Sequence, residues 1–187
     1  MKRQSTMRMA VAAFCAAVNF SGAYIALCLK LPVCLDSIGT LLAAALLGPW
    51  YGMAAAMGSA FLSGVTSDIY ALYFMPAGMI TGITAGLLFK TRLFKGRRTA
   101  VGTALLTLPG SLVGAVISAF VFGGVTSSGS SILVQLFCRL GCGLVASAFA
   151  VQIITDYADR FISAALVLSF LSYLTEEMKM RLRGGHD

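Results

Sequence analysis

Five of the fourteen lysines and arginines fall within one short stretch, Lys90-Thr-Arg-Leu-Phe-Lys-Gly-Arg-Arg98. Before it, Ile69–Phe89 carries no charge, and after it nothing is charged from Thr99 until Arg139. A basic loop between long apolar runs marks a polytopic membrane protein, because positively charged loops are retained in the cytoplasm. That asymmetry sets the topology. The topology in turn decides which polar side chains can meet at one end of the molecule.

Composition agrees. Hydrophobic residues make up 58% and charged residues 11%, against about 25% charged in soluble domains. A net charge of +7 would suggest nucleic acid in a soluble protein. Here the basic residues sit mostly at Lys2, Arg3, Arg8, the central loop and Lys179–Arg183, so lipid headgroups are the expected partner and nucleic acid is not. The cysteines (Cys15, Cys28, Cys34, Cys138, Cys142) lack a metal-ligand spacing, and the single histidine is His186. They read as small buried thiols, with no metal and no cofactor implied. Lys2, Arg3 and Arg8 before an apolar run resemble a signal peptide, but Met9–Leu29 is long enough for a retained span.

The expected fold is an all-α integral membrane protein, a single domain over residues 1–187 and a compact bundle of six transmembrane helices. The spans are placed at Met9–Leu29, Leu35–Leu47, Gly52–Val65, Tyr73–Phe89, Ala100–Val125 and Phe161–Leu174. Spans two and three are short for a bilayer that needs about 20 residues. Ile132–Thr155 is apolar enough to cross as well. Seven spans would put Lys179, Arg181 and Arg183 outside, so six spans with both termini cytoplasmic satisfy the charge rule better. Ile132–Thr155 then becomes an extra outer segment, re-entrant or on the surface. Arg139 in its middle favours this, since an arginine at bilayer centre costs about 2.5–3.5 kcal/mol.

No phosphate-binding loop, serine-hydrolase elbow or zinc-protease motif occurs, and an enzyme is not expected. Asp156-Tyr-Ala-Asp-Arg160 reads as a polar helix start. The remaining polar residues converge under six spans. Asp36 and Thr40 lie at the outer end of span two, with Asp68, Tyr70 and Tyr73 at the outer ends of spans three and four. Asn19 is within span one, and Arg139 is in the outer segment. Polar side chains in or beside spans usually face a cavity, so this pattern describes a cup open to the outside. The competing reading is that Asp36 and Asp68 are solvated helix ends. Small residues recur four apart, as Ala12/Ala16 and Ala13/Ala17 on span one and in stripes on spans three to five, a spacing that lets helices approach closely in lipid.

Leu35-Asp-Ser-Ile-Gly-Thr-Leu-Leu-Ala-Ala-Ala-Leu-Leu-Gly-Pro-Trp-Tyr-Gly52 resembles the substrate-binding (S) components of energy-coupling-factor (ECF) vitamin transporters. The Ala-x-x-x-Ala first helix, the short loop after it, the basic loop after span four and the final Asp159–Leu168 stretch are similar too. The resemblance implies a six-helix subunit that binds one micronutrient at its outer face, in the cell membrane of a prokaryote. Its implied partners are a transmembrane coupling subunit, met by Ala12, Ala13, Ala16 and Ala17, and two cytoplasmic ATPases. It also implies that the loop Lys30–Cys34 gates the pocket. The segment Ile132–Thr155 departs from the smaller members of that family. A membrane receptor or sensor for a small ligand, without transport, remains the alternative. The substrate residues expected from the cup are Asn19, Asp36, Thr40, Asp68, Tyr70, Tyr73 and Arg139. They suit a polar ligand carrying a ring.

Overall fold

The computed structural model describes residues 2–175, 177, 178 and 182. Lys179, Arg181, Arg183 and His186, on which the expectation for the C-terminus rests, lie outside the described residues. Among the described residues every regular element is helical. The helices are α1 (Lys2–Cys28), α2 (Ile38–Leu47), α3 (Pro49–Thr66), α4 (Tyr70–Leu88), α5 (Thr99–Phe122), α6 (Ser130–Arg139) and α7 (Leu144–Tyr173). The basic loop forms two short 3-10 turns, Arg92–Phe94 and Gly96–Arg98.

Among the described residues three segments are long and apolar enough to cross a membrane: Ser5–Cys28, Tyr70–Leu88 and Thr99–Phe122. The polarity of α5 is inverted relative to a soluble helix. Its exposed stripe is Val101, Leu105, Leu108, Leu112, Val116 and Phe120. Apart from Leu106, its buried face is small or hydroxylated, with Thr103, Thr107, Gly110, Ser111, Gly114 and Ser118. In lipid there is no hydrophobic gain in turning leucine inward. Small residues instead let backbones approach, and hydroxyls satisfy themselves on neighbouring carbonyls. Thr103 and Thr107 do so, donating to the carbonyls of Thr99 and Thr103.

The shortness of α2 has a packing reason. Seven of its ten residues are buried, because α1, α3, α4 and α7 surround it. A Cβ at Gly52 of α3 would sit 2.7 Å from the Ala44 Cβ and 2.9 Å from the Gly82 carbonyl oxygen. Any side chain there would force α3 away from α2 and α4. The main core lies toward the basic-loop end and joins Leu41, Ala45, Ala85, Leu106, Ala164 and Val167. Phe94 anchors the basic loop to it by stacking on Phe89, with ring centroids 4.2 Å apart.

The C-terminal third differs from the sequence expectation. Ile132–Thr155 is not one outer segment. Its first part lies in α6, which ends near Gly141 at φ +93°. Its second part is the start of α7, which continues unbroken through the expected last span to Tyr173. At about 1.5 Å per residue, the 30 residues of α7 extend about 45 Å. Asp156, Asp159 and Arg160 therefore sit in mid-helix rather than at a helix start. They are tolerated there because Asp156 and Arg160 turn inward onto α5 and onto each other and Asp159 onto the Leu35 amide, the arrangement that ionisable groups adopt within membranes.

Candidate functional site

A cavity of about 190 Å³ is enclosed by α1, α2, α3, α4 and α7 and by the loops 29–37 and 123–129. It lies at the end of α5 away from the basic loop, because Thr126, Ser127 and Ser128, which follow the C-terminus of α5, line its mouth.

Asn19 builds the floor. Its side chain is fully buried. Its Oδ1 accepts from the Gly39 amide at 2.6 Å and the Thr40 amide at 3.3 Å, and its Nδ2 donates to Thr40 Oγ1 at 2.7 Å. The first amides of a helix have no intrahelical acceptor. Ser37, the residue before α2, supplies no side-chain cap. Asn19 therefore caps α2 from a different helix and fixes the loop carrying Asp36 against α1.

The wall formed by α7 is charged. Gln152 Nε2 donates to Asp156 Oδ1 at 2.8 Å, and Ser111 Oγ donates to Asp156 Oδ2 at 2.6 Å. Arg160, 6% exposed, pairs with Asp156 Oδ2 at 3.4 Å and donates to the Thr107 carbonyl at 2.8 Å and to Ser111 Oγ at 3.4 Å. Gly110 makes room for it, since a Cβ there would lie 2.9 Å from Arg160 Nη2. Asp159, 5% exposed, accepts the Leu35 amide at 2.7 Å. That bond holds Leu35 in the left-handed region at φ +52°, a conformation that costs a branched residue about 1–3 kcal/mol and persists only where neighbours impose it.

Asp36 opens into the cavity beside this wall, with Ser37 Oγ donating to its Oδ1 at 3.2 Å. The cavity is itself sunk in protein. That enclosure raises the Asp36 carboxyl above the ordinary carboxylate range, and the negative charge of Asp156 adds to the effect. Cys34, in the same loop, responds to the same field. Enclosure by protein, then the charges of Asp36, Asp159 and Asp156, push its thiol well above the usual value.

At the mouth, Asp68 joins the turn between α3 and α4 to the 123–129 loop. Its Oδ1 accepts the Tyr70 amide and its Oδ2 accepts Ser127 Oγ. Tyr70 and Phe74 form an aromatic side of the cavity, backed by Phe122 of α5 with ring centroids at 4.7 and 6.2 Å.

Of the seven residues expected at the site, Asn19, Asp36, Thr40, Asp68 and Tyr70 line this cavity. Tyr73 does not line it. It is 51% exposed and packs edge-on against Phe122. Arg139 also lies away, exposed in the last turn of α6, because α7 rather than α6 closes the site. The sequence reading missed Gln152, Asp156, Asp159 and Arg160. A signal was present, since Gln152, Asp156 and Arg160 follow at four-residue steps and share one helix face. On the outside of the bundle, Ala12, Ala13, Ala16 and Ala17 line a shallow groove with Tyr51, Ala54 and Gly58 of α3. Ala12 is buried in it, and Ala13 and Ala17 are exposed.

Residues 7–171 match the family described as ECF transporter, substrate-specific component. The chain belongs to this family. S components are substrate-binding membrane subunits of transporters rather than enzymes, and family membership carries with it a small-molecule substrate and ECF membrane and ATPase partners. No curated protein and no solved structure matches the chain significantly.

Proposed function

We propose that this S component captures a micronutrient, a vitamin or vitamin-like compound, at the outer face of a prokaryotic plasma membrane and delivers it to an ECF-type ABC transporter. In this reading α1 to α5 and α7 are the six spans. The basic loop and both termini are cytoplasmic, and the cavity opens outward. Asn19, Asp36, Thr40, Asp68 and Tyr70 contact the substrate, together with the α7 wall. Ala12, Ala13, Ala16 and Ala17 meet the transmembrane coupling subunit, which brings the two ATPases.

The single observation that carries the proposal is the position of the cavity. It sits at the end of the bundle opposite the basic loop, where polar groups from several helices converge in an apolar chain. The positive-inside rule places that basic loop in the cytoplasm. The test is tagged purification from the native host. The chain is expected to bring a transmembrane subunit and two proteins carrying phosphate-binding-loop motifs, and cells lacking it are expected to lose uptake of one nutrient. Purification without nucleotide-binding partners, and unchanged uptake, would favour a sensor instead.

A further inference from the structure

The positive features of the cavity are already committed within the protein. Among the described residues lining it, Arg160 is the one cationic side chain. Its guanidinium is held by Asp156, the Thr107 carbonyl and Ser111. A helix N-terminus attracts anions through its free amides, but here the Gly39 and Thr40 amides are taken by Asn19 Oδ1. The Leu41 amide is taken by the Ser37 carbonyl. Little is left to receive a phosphate or a carboxylate.

The acceptors are in surplus. Four carboxylates, Asp36, Asp68, Asp156 and Asp159, line the same space as that one guanidinium. Asp156 is consumed by Gln152, Ser111 and Arg160, and Asp68 by Tyr70 and Ser127. Asp36 accepts the Ser37 hydroxyl and Asp159 the Leu35 amide, each on its Oδ1, which leaves both carboxylates with acceptor capacity to spare. Two acidic groups in an enclosed, largely apolar space carry a desolvation cost unless a counter-charge or a proton arrives. Opposite the acids stand Tyr70 and Phe74, whose ring faces attract cations and stack on flat groups.

We infer that the substrate is a small, flat, nitrogen-bearing cation, its charged N–H group held between Asp36 and Asp159 and its ring against Tyr70 and Phe74. This inference rests on reading the cavity as the substrate site. The opposing acids would repel an anionic compound, and an uncharged ring lacking donors would leave them unpaired.

Three probes of matched shape test it: benzamidine, benzamide and benzoate, which are a cation, a neutral amide and an anion on the same ring. They are titrated against detergent-purified full-length protein, with thermal stabilisation and calorimetry as readouts. The expected order is benzamidine at least tenfold tighter than benzamide, with benzoate weaker still. Asp36→Asn is expected to erase most of the benzamidine advantage while leaving benzamide within about threefold. Tyr70→Leu is expected to weaken benzamidine and benzamide together. If benzoate or benzamide binds as tightly as benzamidine, or Asp36→Asn keeps the preference, the charge inference is overturned and the cavity still stands as the site. If no probe binds at millimolar concentration and no small molecule is extracted from the purified protein, the cavity itself is the wrong site and the inference falls with it.

Discussion

Asn19→Ala is the most informative single substitution, because the side chain is fully buried and performs three hydrogen bonds at once. Truncation strands the Gly39 amide, whose bond is 2.6 Å, and the Thr40 amide, whose bond at 3.3 Å is weaker. Each buried group left without a partner costs about 1–3 kcal/mol. One full loss and one partial loss therefore total about 2–4 kcal/mol, since the Thr40 hydroxyl is free to rotate to another partner. For a chain of this size a change of 1 kcal/mol moves the melting temperature by about 2–4 °C, so a fall of about 4–16 °C is expected. Loss of the monodisperse size-exclusion peak on heating in detergent measures it. Thr40→Val removes only the partner of Asn19 Nδ2, and its fall should be clearly smaller. If Asn19→Ala melts within about 2 °C of the wild type, or Thr40→Val costs as much, Asn19 does not cap α2 as described.

Asp36→Ala should weaken substrate binding by about tenfold or more, since a charged group deprived of its partner costs over 1.4 kcal/mol, about one decade. Replacing Lys95 of the basic loop should leave affinity unchanged, and calorimetry on both variants decides. Ser111→Ala removes a donor to Asp156 and should lower stability by about 1.5–3 kcal/mol, the range for hydrogen bonds to charged groups. A melting temperature equal to that of the wild type would show that the α5–α7 network is not structural. Ala12→Leu or Ala16→Leu should impair uptake while leaving affinity near normal, because the added bulk fills the α1–α3 groove; normal transport by both variants would remove that face from the coupling role. A cysteine placed at Ser128 should react with an impermeant reagent from outside and one at Lys95 should not; the reverse would invert the topology.

The first two thirds of the fold were legible in the sequence because charge and turn residues punctuate them. Gly48-Pro49 separates α2 from α3, as the inability of proline to continue a preceding helix requires. The basic loop separates α4 from α5. The last third was misread because the charged residues of Asp156-Tyr-Ala-Asp-Arg160 look in sequence like a polar helix start. Their pairing with Ser111, the Thr107 carbonyl and the Leu35 amide depends on residues 45 to 124 positions away in sequence. No local pattern displays such partners. The same gap misplaced the site's cation. Arg139 stood alone in an apolar run and so looked functional, whereas Arg160, with Asp156 and Asp159 beside it, read as part of a polar helix start. Those acids are what allow it to be buried. Asn19 was found by its isolation in an apolar span, but its role as a cap for α2 needed the crossing of α1 and α2 to be seen. The aromatic side was half legible. Tyr70, Tyr73 and Phe74 are close in sequence, and helical rotation alone separates Tyr73 from the other two.

The central claim is that the outer cavity of this S component holds its substrate. Mass spectrometry of small molecules released from purified wild type and from Ala60→Phe tests it most directly. Ala60 lines the cavity from α3, and a phenyl ring there occupies the space the ligand needs. The expected result is one compound released from the wild type and none from a variant that elutes and melts as a folded protein. The same compound recovered in equal amount from Ala60→Phe would contradict the claim.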